Sequence, residues 1–389
     1  MTPLPFDAHI ALTYARALAY PRFTGTLAAE ATVRRLAEKL ERFGYRVEQQ
    51  SFQFSTAVNV AITGAITASI ALTALALVLR AASPLPAALL ASVALTAPLA
   101  LRLIQPIAER GALTPASFWA RLGRRYTARN LIAHLPDVPT ACPHVVLIAH
   151  YDSKSQRLPI VARMLCVVVS LACGALFAAG LWLAVWMPPV STFIVVIGIL
   201  SVLGSLPLAL MDWANRSPGA IDNASGVGVV LHLAELLARS PEWRNRLRWT
   251  ILLTAAEELG LMGAAAFVRA HTRAIRDAVV INFDGVGIAG TLHYAAGHRA
   301  SRLVTVLQSV AHQRGLPLRR FNWPGLLFDH LPFARAGIEA VTLLSVGPGM
   351  ETVHTPRDTV ERLQAEGFAQ TGSLAVAVLA ALCERAISF

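Results

Sequence analysis

Long stretches without a charged residue limit what this chain can fold into. Ala57 to Leu79 carries no charge, and neither does Ala81 to Leu101. Met164 to Met211 is also charge-free and is broken in the middle by Pro188-Pro189. A helix needs about 20 apolar residues to cross the hydrocarbon core of a bilayer. The pattern therefore predicts four transmembrane helices in two hairpins, near 57–79 with 83–104 and 160–187 with 190–211. Arg80 to Pro86 and the Pro188-Pro189 pair are the expected turns. Buried core helices are the alternative, and the length and purity of these runs weigh against it.

Composition agrees. Of the 389 residues, 55% are hydrophobic and 15% charged, whereas ordinary soluble domains sit near about 45–50% and roughly 25%. Disordered, collagen-like, low-complexity and disulfide-scaffold classes are excluded. Cys166 and Cys173 fall in a predicted membrane helix. Cys142 and Cys383 remain, with no metal-type spacing and no framework. The net charge of +11 by itself suggests nucleic acid, an anionic membrane or the inner face of a bilayer. No nucleic-acid-binding motif accompanies it, so a nucleic-acid partner is not expected. The charge reads as inward-facing or lipid-facing surface.

Residues 1–56, 106–157 and 213–389 carry nearly all the charge. Each hairpin returns to the side it left, so these three pieces share one side of the bilayer. They are expected to form a single discontinuous domain, with 57–105 and 158–212 as its hairpin insertions. Met1 to Arg22 lacks the basic start and apolar core of a secretory leader. Arg102, Arg110, Lys154, Arg157, Arg163 and Arg216 flank the proximal ends of the hairpins, against Arg80 alone at the distal turns. The positive-inside rule then predicts an integral inner (plasma) membrane protein with a cytoplasmic domain.

Within that domain, Val33, Leu36, Leu40 and Phe43 recur at helical spacing, so 27–43 is predicted helical and Gly44 ends it. Tyr45 to Phe54 and Asn130 to Leu135 read as extended. Apolar, β-branched runs at 144–149, 249–256, 278–283 and 340–346 read as buried strands. Helices are expected at 223–238, 260–270, 302–312 and 364–385. The alternation predicts an α/β fold, a mostly parallel central sheet with helices on both faces, interrupted by the two hairpins. In such sheets chemistry collects at the carboxyl ends of the strands.

Those ends carry a specific set of residues. His150-Tyr151-Asp152 follows the first central strand, Glu257-Glu258 the second and Asp284 the third. His354 lies in the loop after 340–346, and Asp222 stands just before a helix. Carboxylates gathered this closely repel and raise one another's pKa. A divalent metal resolves the conflict, and imidazole with carboxylate is ordinary zinc chemistry. One His and two carboxylates would serve each of two ions, with one carboxylate shared. Two metals about 3.5–4 Å apart hold a hydroxide between them and polarise a carbonyl, and one of the tandem glutamates is left to act as general base.

These segments resemble the M28 family of zinc peptidases, the aminopeptidase Y and glutamate carboxypeptidase II-like group. The likeness rests on His150-Tyr-Asp-Ser153, Gly219-Ala-Ile-Asp-Asn-Ala-Ser-Gly-Val227 and Ala256-Glu-Glu-Leu-Gly260. It continues in Asn282-Phe-Asp284, Phe328-Asp-His-Leu-Pro-Phe333 and His354-Thr-Pro-Arg-Asp-Thr359. It covers essentially all of the chain outside the hairpins. It implies that His150 and Asp284 bind one zinc, that Glu258 and His354 bind the other, and that Asp222 bridges both. Glu257 would be the general base. Asp152 would hydrogen-bond the His150 imidazole, and Asp358 would do similar work near His354. Two positions depart from the family's habit. Ile221 stands where a polar residue is common before the bridging Asp, and Val353 where some members have a tyrosine before the last His.

The implied activity is that of a membrane-anchored dizinc exopeptidase, an aminopeptidase first, with carboxypeptidase and dipeptidase open. A glutaminyl-cyclase-like zinc acyltransferase and a non-catalytic receptor or assembly subunit of the same fold are the alternatives. Because the second hairpin lies between His150 and Asp222, the zinc pair is expected close to the membrane surface. The expected partners are the lipid bilayer and a peptide or acyl-amide presented there. No transport path is expected, since no span carries a central charge. Gly285-Val-Gly287-Ile-Ala-Gly290 matches a dinucleotide spacing, but Thr291 to Ala295 reads as extended rather than helical.

Overall fold

A computed structural model of the chain describes residues 4–136, 142–187, 189–297, 300–321 and 326–386. The chain divides into two compact units, one of Met1–Gln53, Tyr126–Ser155 and Ala214–Phe389, the other of Phe54–Arg125 and Gln156–Trp213.

In the first unit, the Asp7 side chain accepts the His9 N–H and caps α1 (Ala8–Arg16). Sequence periodicity does not announce this helix. Thr26 caps α2 (Leu27–Arg42), which buries Val33, Leu36 and Leu40. Gly44 then leaves the helix at φ 91°. The strands are β1 (Arg46–Ser55), β2 (Arg125–His134), β3 (His144–His150), the two-residue β4 (Ser155–Gln156) and β5 (Trp213–Ala214), and β6 (Arg248–Thr254). They continue with β7 (Val279–Phe283), β8 (Thr291–Ala296), β9 (Leu318–Arg320) and β10 (Glu339–Val346). Eight of them form one sheet in the order β1-β2-β6-β3-β7-β10-β8-β9.

The sheet is parallel at its centre, where β6, β3, β7 and β10 run together. It turns antiparallel on either side, at β2 against β6 and at β8 against β10. Val146, Ile148, Leu252 and Val280 form one core with Phe267 of α9 (Met262–His271) and Phe333 of α11 (His330–Arg335). The alternating residues Val145, Leu147 and Ala149 are also fully buried, and α7 (Ser225–Arg239) lies against β3, β6 and β7. Both faces are thus covered. The remaining helices are α8 (Pro241–Arg244), α10 (Ser301–Gln313) and α12 (Ala365–Ala386).

Two helices start later than their apolar pattern suggests. Helix α7 begins at Ser225 because Asp222 and Asn223 hold non-helical dihedrals. Helix α9 begins at Met262 because Ala256, Gly260 and Leu261 all have positive φ. Both delays occur where chemistry-bearing residues stand.

The second unit contains α3 (Ala57–Leu79), α4 (Pro84–Ala112), α5 (Ile160–Trp186) and α6 (Thr192–Ala209). Ala76, Ala87, Ala88, Ala91, Phe177, Leu181 and Ile197 form its core, while Leu165, Leu176 and Val78 stay exposed. Among the described residues, five helical stretches are long and apolar enough to cross a membrane. Ala220–Arg239 and Ala365–Glu384 are 89% and 61% buried inside the protein, which accounts for their apolarity without a bilayer. Helices α3, α5 and α6 are only 11%, 22% and 28% buried. Helix α4 runs past the expected 83–104 span to Ala112, and its last turns carry Glu109 and Arg110. Of the expected Pro188-Pro189 turn, Pro188 lies outside the described residues.

Candidate metal centre

Strand register brings the candidate residues to one edge of the sheet. His150, the last residue of β3, pairs with Thr254, the last of β6. Ile148 pairs with Asn282 near the end of β7, and Asp284 follows directly. Beyond β6 the chain turns through a short 3-10 segment, Glu257–Leu259, between Ala256 at φ 55° and Leu261 at φ 63°. His354 also has positive φ, at 62°. Left-handed backbone at non-glycine residues persists only where the surroundings enforce it, and it clusters at functional sites.

The loop before α7 is tied to the end of β7. Asn223 donates from Nδ2 to Phe283 O at 2.8 Å, and its Oδ1 accepts the Gly226 N–H at 2.9 Å and the Gly285 N–H at 3.3 Å. A Cβ on Gly226 would lie 2.3 Å from Phe283 O, so glycine permits this approach. Asp222 and Asp284 are thereby held on neighbouring loops.

The side chains converge in two groups. His150 Nε2 lies 3.0 Å from Asp222 Oδ1 and 3.6 Å from Asp284 Oδ1. His354 Nε2 lies 2.9 Å from Asp222 Oδ2 and 3.0 Å from Glu258 Oε2. Each triad places one ligand atom per residue within 4.8 Å of the others. Asp222 belongs to both and turns a different oxygen to each.

This donor set fits divalent metal. His150 Nε2 is buried and makes no hydrogen bond, despite its short distance to Asp222. Glu258 Oε1 is also buried without a partner. His150 Nδ1 donates to Asp152 O at 3.2 Å, which leaves the Nε2 lone pair facing the carboxylates. Such atoms are costly to bury unpaired, and a zinc-type ion at each triad would satisfy the one beside it.

Electrostatics separate the two tandem glutamates. Burial, opposed by His150 but reinforced by Asp284, Glu258 and Asp329, holds Glu257 well above the usual carboxylate range. Burial also acts on Glu258, but His354 and Lys154 beside it hold its carboxyl low. Asp222 is held low by His150 and His354 against its burial, and burial raises Asp284. Glu257 belongs to neither triad.

Two expected contacts are made differently. The Asp152 carboxylate does not bond the His150 imidazole: its Oδ1 lies 3.6 Å from Nδ1, beyond hydrogen-bond reach. In that tight turn the main-chain carbonyl of Asp152 comes closer and accepts the hydrogen bond from Nδ1. The carboxylate instead accepts the Glu257 N–H at 3.2 Å and the Thr24 hydroxyl at 3.1 Å. Asp358 likewise does not orient His354. It accepts the Ile221 and Asp222 N–H groups, because its loop passes beside the loop of Asp222.

Sequence reasoning missed three residues. Lys154, counted among the basic flanks, ion-pairs with Glu258 at 2.9 Å. Fully buried Arg22 donates to the carbonyls of Tyr20, Tyr151, Pro218 and Gly219, pinning both ligand loops. Asp329 is buried, accepts from the Thr254 hydroxyl, and helps to raise the pKa of Glu257. Only Asp329 lay inside a recognised segment.

The model of peptidase family M28 matches residues 130–379. The chain is 32% identical over 174 residues to aminopeptidase YwaD of Bacillus subtilis (strain 168), covering 42% of this chain and 37% of that protein. It thus spans well under half the length of that relative. The zinc aminopeptidase BSAP from Bacillus subtilis has a similar fold, with TM-score 0.57 and 18% identity over 96% of this chain and 95% of that one. A glutaminyl cyclase from Bacteroides thetaiotaomicron is similar too, with TM-score 0.57 and 18% identity over 97% and 99%.

Proposed function

The chain belongs to peptidase family M28, and we propose that it is a membrane-anchored dizinc exopeptidase acting as an aminopeptidase. The observation that carries the two-metal reading is Asp222, whose Oδ1 meets His150 and whose Oδ2 meets His354. In this reading His150 and Asp284 hold one zinc, Glu258 and His354 hold the other, and Asp222 bridges. Bound zinc would acidify water and polarise the scissile carbonyl.

The chain's own groups supply the rest. Glu257 takes the proton of the attacking water and delivers it to the departing amine. Glu257 belongs to neither triad, so its carboxylate is left free for this proton transfer. Asp152 fixes the backbone of Glu257 through its carboxylate and the tautomer of His150 through its carbonyl.

Residues 1–56, 106–157 and 213–389 act as one catalytic domain, and hairpins 57–105 and 158–212 anchor it. The exposed apolar surfaces of α3, α5 and α6 support the anchoring. Arg110, Arg157 and Arg216 against Arg80 favour a cytoplasmic domain at the inner membrane.

A zinc count on purified protein, run beside a panel of aminoacyl reporters, tests this reading. It predicts two zincs per chain and cleavage only of reporters with a free amine. One zinc with cyclisation of glutaminyl peptides would establish the cyclase-like alternative. A chain binding no zinc would establish the non-catalytic one.

A further inference from the structure

The position assigned to the second ion has a cation of the protein's own beside it. Lys154 Nζ lies 2.9 Å from Glu258 Oε2 and donates to Glu258 O at 2.9 Å. The same Oε2 lies 3.0 Å from His354 Nε2. The side chains of Lys154 and Glu258 are 12% and 2% exposed, so water screens this pair little. At the other position, among the described residues, Asp284 has His150 as its ion-pair partner at 3.6 Å and no ammonium or guanidinium beside it.

We propose that Lys154 sets the metal affinity of the Asp222–Glu258–His354 position and makes it the weaker of the two. The inference rests on the two-metal reading. One carboxylate there serves two cations, the ammonium and the ion, so its field is divided between them. The ammonium and a divalent ion also repel each other across a poorly screened distance. Lys154 has an opposing effect, since its bonds to the carboxylate and carbonyl of Glu258 hold that ligand in place. Charge outweighs orientation, because Glu258 already sits in a backbone turn fixed by the bonds from Gly260 N and Leu261 N to Glu257 O. The consequence is functional: the second ion is lost first when zinc is scarce, and activity follows zinc supply through this one position.

The test uses full-length protein in detergent, stripped with a chelator and titrated with zinc. Calorimetry reads the affinities and elemental analysis the stoichiometry. Asp284→Asn identifies the tighter step and His354→Ala the weaker one. Lys154→Met and Lys154→Gln should tighten the weaker step by about tenfold or more and leave the tighter step within about twofold, while Lys154→Arg behaves as wild type. Lys154→Gln keeps a hydrogen-bond donor and stands in if Lys154→Met does not fold. Two ions bound with the weaker step unchanged or weakened in the neutral variants would overturn the proposal. At most one ion in wild type and every variant would instead overturn the two-metal reading beneath it.

Discussion

The carboxylate of Asp358 holds the backbone of Asp222 in place. Its Oδ1 accepts the Ile221 N–H at 2.7 Å and its Oδ2 the Asp222 N–H at 3.2 Å. The residue proposed to bridge two ions therefore has its main chain fixed from another loop. Asp358→Ala should lower zinc affinity by about 10–100-fold, as losses of supporting groups around metal ligands do. It should also destabilise the chain, since two amides lose their acceptor at about 1–3 kcal/mol each. Zinc retained against a graded chelator series checks the first effect, and undiminished retention would contradict the assignment.

Glu257→Gln should keep both ions and lose about 10²–10⁴-fold in kcat, the usual range for a general base. The amide preserves shape and the bond from Glu257 N to Asp152, so metal content serves as the internal control. Activity that survives this change would place the base elsewhere.

Asp222→Asn should empty both positions, because one side chain serves both triads. Asp284→Asn should affect only the position shared with His150. Elemental analysis of the two variants distinguishes them, and equal losses would mean that Asp222 does not bridge.

Much of this site could be read along the chain because its central strands are apolar over most of their length. Strands β3 and β7 are completely buried, so His150 and Asp284 stand out as the ionisable residues at their carboxyl ends. Glu257 and Glu258 stand out beyond β6 for the same reason. What escaped was set by contacts distant in sequence. Nothing local shows that Lys154 folds onto Glu258, 104 positions away, so it read as a membrane flank. Arg22 is buried only because carbonyls from several separate segments surround it. Asp152 stands two residues after His150, and so short a turn leaves open whether its carboxylate or its carbonyl reaches the imidazole. Helices α1 and α11, of 9 and 6 residues, are too short for periodicity to register. The antiparallel flanks of the sheet carry no sequence mark that separates them from its parallel centre.

Asp329 gives the metal-free protein a pH dependence of known sign. Burial raises its pKa from 3.8 to about 7, and one of its oxygens has no partner. The folded chain thus holds a proton that the unfolded chain releases near 3.8. The resulting stabilisation is complete below that value and lost as pH rises through about 7. It amounts to about 4 kcal/mol at most, at about 1.4 kcal/mol per pKa unit. Asp329→Asn should therefore flatten the fall in Tm of chelator-treated protein across this window. An identical pH profile in the variant would show that Asp329 does not carry the effect.

Chain connectivity bears on what the enzyme meets. The segment 158–212 leaves just after β3, which ends in His150, and returns just before Asp222. If that segment is a membrane hairpin, both strands of chain linking it to the metal ligands are short, and the ligands are tethered near the bilayer. A substrate held in the membrane is then delivered at high effective concentration, while a soluble one gains nothing. A lipid-anchored aminoacyl reporter in vesicles containing the protein should be turned over with a kcat/KM well above that of the same reporter without its anchor. Detergent should abolish the difference, because it removes the shared surface and leaves the zinc site intact. Equal kcat/KM for both reporters in vesicles would remove membrane presentation from the reading without touching the peptidase assignment.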